Sequence, residues 1–340
     1  MDRVEGYSRS VVSRRALLKG AVLAAGGVAL ATAGLIPTNL AAVAASMAGG
    51  GNWEKLSPSR SPSKRSYAAM APDMKTGSIV LFSGLGADPD TWLYDGKNWN
   101  QVAANGPPAR SGSATAYDPG SNAVLLFSGL GGGQFLEDTW SWDGTRWTAV
   151  PSSHTPAPRA GAAIAVDPVS GKLLLFGGYN DRGYLDDTWT WTGSDWALAT
   201  SRSNPPDSFG GSLGIDPAGL LVLIGGSNSA MGVPTPTGSW HWTGHEWVSS
   251  SGQSLSRATF AATALVPTSQ SFMRVGGLQD GSVSDEALLW SHGSPKTIGA
   301  VRPTARAYAA MAYEPRSGGF LLFGGQDEAG LLGDSWLWTP

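Results

Sequence analysis

The sequence predicts an all-β fold that consists of six repeats with four antiparallel strands each. A unit of about 50 residues recurs along the chain, a period that is typical of repeat architectures. All 15 tryptophans take fixed positions in this unit, and the 47 glycines suit many short strands joined by tight turns. All-β chains of this length often form one domain, so we expect the repeats to share a single fold.

The most regular part of the unit is a hairpin rich in tryptophan. In its clearest copy, Trp140 and Trp142 share one face of a strand, and the turn Asp143-Gly144 leads back to Trp147. A single hairpin has nothing against which to bury such large side chains, so the copies must pack against one another. Further copies lie at 90–99, 187–196 and 238–247, with a degenerate copy at Trp290 and a last one at 334–338.

Two more strands precede the hairpin in every repeat. An apolar strand rich in small residues leads to a turn such as Asp118-Pro119, and a continuous apolar strand such as Leu173–Gly178 follows. We name the four strands a, b, c and d in chain order. The anchor residue before strand a is Arg65, Arg110, Arg159, Arg257 or Arg306 in five repeats and Ser208 in the fourth.

The repeats resemble the kelch type of β-propeller. The resemblance rests on the period and on a glycine pair that ends strand b and is followed, after a loop, by the tryptophan pair. The glycine pairs are Gly177-Gly178, Gly225-Gly226, Gly276-Gly277 and Gly324-Gly325. The resemblance implies a six-bladed ring over residues 46–340, with blades at about 65–103, 110–150, 159–199, 208–250, 257–299 and 306–340. The fifth repeat departs most, since Leu288 and Pro295 stand where tryptophans are expected.

The sixth repeat has no strand d of its own. Residues 52–56, which include Trp53, are similar to strand d of the second repeat, which begins at Trp147. We therefore expect this N-terminal segment to complete the sixth blade and to close the ring, which removes an open sheet edge. Residues 57–64 then form a loop between blades.

Residues 1–45 have the pattern of an export signal. Arg14-Arg15 and Leu17 precede an apolar run over 20–36, and Ala42-Val43-Ala44 is a candidate cleavage site. The block resembles a twin-arginine signal, which implies a periplasmic, cell-surface or secreted protein. The alternative is an uncleaved membrane anchor, which would be the protein's membrane contact.

Composition excludes several kinds of function. The chain has no cysteine, so disulfides, thiolate catalysis and the Tyr–Cys copper site of the related galactose oxidases are excluded. Five of the 23 basic and two of the 26 acidic residues lie in 1–45, which leaves an acidic body. This balance argues against nucleic acid as a partner. We expect a monomer without a cofactor.

Strand direction places the candidate site. Strands a and c begin on one face, which we call the upper face, and the long b–c and d–a loops lie there. The anchor arginines at 65, 110, 159, 257 and 306 start on this face and are candidate ligands for an anion. The alternative, which we favour, is that they pair with the acids at the start of strand c. Those acids are Asp90, Asp138, Asp187, Glu286 and Asp334, and repeat four lacks both the arginine and the acid.

Other residue patterns give weaker predictions. His154, His241, His245 and His292 are not spaced as ligands of one metal, and no catalytic constellation can be read from spacing. Whether the protein is an enzyme is therefore open. The leading hypothesis is an exported scaffold that binds a protein or a glycan through its upper-face loops. The alternative is a carbohydrate-active enzyme similar to sialic-acid mutarotases, an activity that some periplasmic kelch propellers have.

Overall fold

The computed structural model describes residues 50–340 except 103–104, 229–238, 251–257, 268, 270, 292–294 and 300. The predicted export signal at 1–45 lies outside these residues. The described part of the chain contains no helix that is long and apolar enough to cross a membrane.

The fold is a six-bladed β-propeller in which each blade is a four-stranded antiparallel sheet. Strand β1 (Asn52–Lys55) comes first and belongs to the last blade. Blade one consists of β2 (Ala69–Asp73), β3 (Ser78–Phe82), β4 (Thr91–Tyr94) and β5 (Trp99–Val102). Blade two consists of β6 (Ala114–Asp118), β7 (Ala123–Phe127), the small hairpin β8 (Leu130–Gly131) and β9 (Gln134–Phe135), β10 (Thr139–Trp142) and β11 (Trp147–Ala149).

The next blades follow the same plan. Blade three consists of β12 (Ala163–Val166), β13 (Leu173–Phe176), the hairpin β14 (Tyr179–Asn180) and β15 (Gly183–Tyr184), β16 (Thr188–Trp191) and β17 (Trp196–Ala199). Blade four consists of β18 (Phe209–Ile215), β19 (Leu221–Ser227), β20 (Ser239–Trp242) and β21 (Trp247–Ser250). Blade five consists of β22 (Ala262–Leu265), β23 (Ser271–Val275), the hairpin β24 (Leu278–Gln279) and β25 (Ser282–Val283), β26 (Ala287–Ser291) and β27 (Lys296–Thr297). Blade six consists of β28 (Ala310–Glu314), β29 (Gly319–Phe323), the hairpin β30 (Gln326–Asp327) and β31 (Gly330–Leu331), and β32 (Ser335–Thr339).

The N-terminal strand closes the ring, as the sequence predicts. Strand β1 pairs with β32 in antiparallel register, with Trp53 opposite Trp338, and the sixth sheet has the order β1-β32-β29-β28. The six inner strands neighbour one another in the order β2, β6, β12, β18, β22 and β28, and β28 then returns to β2. The two ends of the described chain are therefore held in one sheet.

The hydrophobic core lies between blades. Strand b is buried along almost its whole length, as in β7, where every residue from Ala123 to Phe127 is buried. Its two faces pack in different directions: Val124 contacts blade one, and Leu125 contacts blade three. Each sheet is covered on both sides by its neighbours, which explains the continuous apolar pattern of strand b.

In blades one to four, the tryptophan of strand d ties the blade to the blade before it. Trp147 Nε1 donates to Thr91 Oγ1 at 3.1 Å, and the same bond joins Trp196 to Thr139 and Trp247 to Thr188. Trp99 donates to Ser335 in the same way, which links blade one to blade six. Trp53 is the matching residue of blade six, but blade five offers Ala287, which has no hydroxyl, at the equivalent place.

We predict that Trp53→Ala destabilises the whole propeller. Trp53 is 4% exposed and packs between blades five and six, so its loss leaves a cavity at the closure. The expected loss in the free energy of unfolding is about 3–5 kcal/mol. Chemical denaturation measures it, with Glu54→Ala as control because Glu54 is an exposed residue of the same strand. Equal unfolding midpoints for Trp53→Ala and wild type would show that the strand does not close the ring.

Candidate functional site

Four buried anchor arginines pair with half-buried acids of the same blade. Nη1 and Nη2 of each arginine donate to Oδ1 and Oδ2 of the aspartate, at 2.5–2.7 Å and 2.8–3.1 Å. The pairs are Arg65–Asp90, Arg110–Asp138, Arg159–Asp187 and Arg306–Asp334. The arginine side chains are at most 1% exposed. This two-point geometry is the strongest that an arginine and a carboxylate can form.

Other guanidinium donors of these arginines also bind acceptors of the same blade. In blade two, Arg110 Nε donates to the carbonyl oxygen of Pro108 at 3.0 Å, and Nη1 also donates to that of Ser128 at 3.1 Å. Trp140 Nε1 donates to Asp138 Oδ2 at 2.7 Å, so the carboxylate has a third partner. The anion-binding hypothesis for the arginines stays a prediction, and each guanidinium is already committed to its own blade.

The arginines lower the pKa of their aspartates. Burial alone would raise the pKa of Asp138, but hydrogen bonds from Arg110 and Trp140 and the charge of Arg110 outweigh burial. The pKa therefore lies below its ordinary value, and the same balance holds at Asp90, Asp187 and Asp334. These carboxylates are charged at neutral pH.

Blade five departs from the predicted pairing. Arg257 lies outside the described residues, and Glu286 is paired instead with Arg274 of strand b. The bridge Thr259–Leu278 matches Ser66–Leu85 and Ala160–Tyr179, so Ala258 occupies the anchor position in this blade. The spacing therefore places the anchor of blade five one residue too early, and the predicted pairing of Arg257 with Glu286 stays a prediction because Arg257 is outside the described residues.

Arg274 reproduces the guanidinium contacts of the missing anchor from another strand. Its Nη1 donates to the carbonyl oxygen of Gly276 at 3.1 Å, as Arg65 Nη1 donates to that of Ser83. Burial lowers the pKa of Arg274, and the charge and hydrogen bond of Glu286 oppose that effect. In blade four the partner position, Gly238, is outside the described residues, and Ser208 is buried at the anchor position.

A closed ring of backbone hydrogen bonds surrounds the propeller axis on the upper face. It is formed by the residue two positions after each anchor. The backbone N–H of each such residue donates to the carbonyl oxygen of the equivalent residue in the preceding blade, at 2.8–3.0 Å. The six residues are Tyr67, Gly112, Gly161, Gly210, Phe260 and Tyr308. All have φ between 53° and 68°, which is the left-handed region. Three blades use glycine here, and three use an aromatic residue.

The aromatic residues at these positions are conformationally costly. Tyr67, Phe260 and Tyr308 have φ of 53°, 55° and 60°, which costs a bulky residue about 1–3 kcal/mol. Glycine would adopt the same backbone without that cost, as it does in blades two to four. Such strained residues occur mainly where function requires the side chain, so these three residues mark a candidate site.

The three aromatic residues belong to a larger cluster that reaches all six blades. Tyr67 stacks on Tyr308 with ring centroids 4.4 Å apart, and Phe260 lies 4.8 Å from Tyr308. Contacts of 4.8–5.2 Å then lead through Phe209 to Tyr179, Tyr184 and Phe135. We call these seven residues the aromatic cluster: Tyr67, Phe135, Tyr179, Tyr184, Phe209, Phe260 and Tyr308. All except Phe260 are half-buried.

The cluster lies on the upper face because Phe135, Tyr179 and Tyr184 belong to the b–c hairpins. Burial raises the pKa of Tyr67 far above its ordinary value, and interaction with the Tyr308 hydroxyl raises it further. Burial also raises the pKa of Tyr308 and of Tyr179. These phenols stay neutral at physiological pH, so the cluster offers aromatic faces and uncharged hydroxyls.

The histidines that the sequence analysis considered have separate local contacts. His154 Nδ1 lies 2.8 Å from Asp195 Oδ2, and His241 Nδ1 lies 2.9 Å from Asp216 Oδ2, in different blades. His245 is exposed, and His292 is outside the described residues. The described residues contain no group of three His, Asp or Glu side chains that could hold a metal ion.

Sequence reasoning missed the aromatic cluster. The anchor residues gave a periodic signal, but the residue two positions later is glycine in three blades and aromatic in the other three, so no single residue type repeats there. The available signal was its fixed offset from the anchor in blades one to four and six, as at Arg65–Tyr67 and Arg306–Tyr308.

Comparison with known proteins supports the fold. No protein-family model and no curated protein sequence matches this chain. A solved structure titled "Structure of YjhT" is similar, with a TM-score of 0.64 and 17% sequence identity, over 83% of this chain and 97% of that chain. At this identity the likeness shows the propeller fold alone.

We predict that Arg110 and Asp138 are energetically coupled. Arg110→Ala leaves the half-buried carboxylate of Asp138 without its partner, so adding Asp138→Ala should recover part of the lost stability. The expected coupling is about 0.5–3 kcal/mol in a double-mutant cycle measured by denaturation. Arg146→Ala is the control, because Arg146 of the same blade is 77% exposed.

The coupling should depend on pH with a defined sign. Because the folded-state pKa of Asp138 is lowered, its stabilisation is complete above the unfolded-state pKa and is lost as the pH falls through the folded-state pKa. The cycle should therefore lose its coupling in acid. Additive single-mutant effects at neutral pH, with a rise in wild-type melting temperature on adding sulfate, would support the anion-binding hypothesis instead.

Proposed function

We propose that this protein is an exported kelch-type propeller that serves as a binding module, with a protein or glycan partner docking on the aromatic cluster. The observation that carries the proposal is the use of Tyr67, Phe260 and Tyr308 at positive φ, where glycine would be less strained. The strain is concentrated at the mouth of the propeller, where variable loops surround it. Half-buried aromatic residues are well suited to recognition because they bring large contact area and lose little conformational entropy.

The arrangement of the upper face supports the same function. The guanidinium groups beside the cluster are occupied within their blades, and the backbone groups of the hydrogen-bonded ring are occupied by one another. A partner would therefore meet side chains of the aromatic cluster and of the b–c hairpins. Such a surface binds by packing and by side-chain hydrogen bonds, as at the centre of protein interfaces.

The test compares two variants of the full-length protein on a glycan array and in capture from the culture medium. We expect Tyr308→Gly to fold, because three blades carry glycine at this position, and to lose partners that wild type retains. Leu198→Ser is the control, since Leu198 is 55% exposed on the outer strand of blade three. Captured proteins are identified by mass spectrometry and tested again after purification.

Retention of every partner by Tyr308→Gly would contradict the proposal, as would equal losses in the two variants. Thermal unfolding of both variants shows whether a loss of binding arises from a loss of fold. A folded Tyr308→Gly protein that no longer binds identifies the upper face as the binding surface.

The export signal has its own test. Within the proposal, Arg14-Arg15 direct the folded protein through the twin-arginine route, because the receptor reads the arginine pair. We expect Arg14→Lys together with Arg15→Lys to leave the protein in the cytoplasm, as measured by immunoblots of cell fractions. Unchanged export of the double variant would refute this route, and an intact Met1 in the exported protein would favour the uncleaved anchor.

A further inference from the structure

The b–c segments of the upper face are strongly acidic. Apart from the acids at the start of strand c, the segments 85–90, 130–138, 179–187, 278–286 and 326–334 contain eight acidic residues and one basic residue, Arg182. The acids are Asp88, Glu137, Asp181, Asp186, Asp280, Asp285, Asp327 and Glu328, and all except Asp327 are exposed. The corresponding segment of blade four, 227–238, has no charged residue in its sequence. Clefts with walls of one charge attract ligands of the opposite charge.

The hairpins place some of these acids next to the aromatic cluster. Asp181 lies in the turn between Tyr179 and Tyr184, which are paired strand partners and both belong to the cluster. In blade six, Gln326 is bridged to Ala307, the neighbour of Tyr308, and Asp327 and Glu328 follow it. In blade five, Leu278 is bridged to Thr259, the neighbour of Phe260, and Asp280 follows two residues after Leu278.

The basic residues of the upper face come mainly from the d–a loops, which arrive from the outer strands. They are Arg60, Lys64, Arg202 and Arg302, together with Arg257, which lies outside the described residues. Arg302 is already paired with Asp285, with Nη2 and Oδ2 2.8 Å apart. The loops that contribute residues to the aromatic cluster are the b–c hairpins, so the charge beside the cluster is mainly negative.

We infer that the aromatic cluster receives a cationic side chain, an arginine or lysine from a basic segment of a protein partner. The inference rests on the proposed function and names the chemistry of the partner. A guanidinium or ammonium group is attracted by the negative face of an aromatic ring, and Tyr67 and Tyr308 contribute half-buried rings of neutral phenols. The carboxylates of the hairpins add longer-range attraction to the same charge.

Other ligand classes match fewer of these features. An anionic ligand would approach eight carboxylates, and the arginines closest to the cluster have their donors occupied in ion pairs. A neutral ligand would use the aromatic faces but gain nothing from the acidic hairpins. A basic peptide uses both, and its affinity should fall as salt screens the attraction.

The test uses the full-length protein and two short synthetic peptides, one alternating glycine with arginine and one alternating glycine with citrulline. Citrulline keeps the shape of arginine but has no charge. We expect the arginine peptide to bind about ten-fold more tightly by titration calorimetry, and its affinity to fall as sodium chloride is added.

Variants separate the aromatic contribution from the charge contribution. Tyr308→Phe keeps an aromatic face and should retain binding of the arginine peptide, whereas Tyr308→Gly should lose about ten-fold. The combined variant Asp181→Asn, Asp280→Asn and Glu328→Gln should bind more weakly at low salt and show a smaller salt dependence. Glu54→Gln, an exposed acid on strand β1, is the control and should bind as wild type does.

The outcomes separate this inference from the proposed function. Equal affinities for the arginine and citrulline peptides, or equal affinities of wild type and Tyr308→Gly for the arginine peptide, would overturn the inference. If neither peptide binds but a neutral oligosaccharide or a protein without a basic segment binds wild type and not Tyr308→Gly, the inference fails and the proposed function stands. If no ligand distinguishes wild type from Tyr308→Gly, both fail.

Discussion

Each blade of this propeller is covered on both faces by its neighbours, and this constraint governs the rest of the structure. Strand b has no solvent face, so a blade is stable only between two others. The chain must therefore return to its first blade and close, and strand β1 provides the closure by pairing with β32. The backbone ring at the axis and the bonds from Trp99, Trp147, Trp196 and Trp247 to the preceding blades repeat the same connection at different radii.

The arginine–aspartate pairs stabilise four of the blades from inside. Arg110 joins the start of strand a to the end of strand b through Ser128 and to the start of strand c through Asp138. It therefore fixes the two ends of the b–c hairpin, which rises from the same place. The guanidinium is buried, so the pair is expensive to break, and blade five shows that the contact matters more than the position of its donor. There Arg274 supplies the guanidinium from strand b.

Most of the fold could be predicted because the signals that specify it are periodic. The tryptophans, the turn after strand a and the apolar strand b recur in every regular blade, and the missing outer strand of blade six pointed to Trp53. Spacing alone did not locate the anchor of blade five, where Ala258 takes the position that the 49-residue interval assigns to Arg257. The candidate site could not be read from the sequence, because its members come from different blades and different strands. Tyr67 and Phe209 occupy different positions within the repeat, and they belong to one cluster because both contact Phe260 of a third blade.

Closure also explains how a rigid scaffold can carry a variable surface. The ring of backbone hydrogen bonds requires positive φ at six positions, and glycine meets that requirement in blades two to four. Because the backbone contact is complete without a side chain, the ring itself requires no aromatic residue at any of these positions. An aromatic residue there adds backbone strain and also needs space on the neighbouring blade. Phe260 lies over Gly210 of the preceding blade, where an added Cβ would come within 2.2 Å of the Phe260 ring. The glycines thus leave room for the aromatic side chains of other blades, and the surface is built from both.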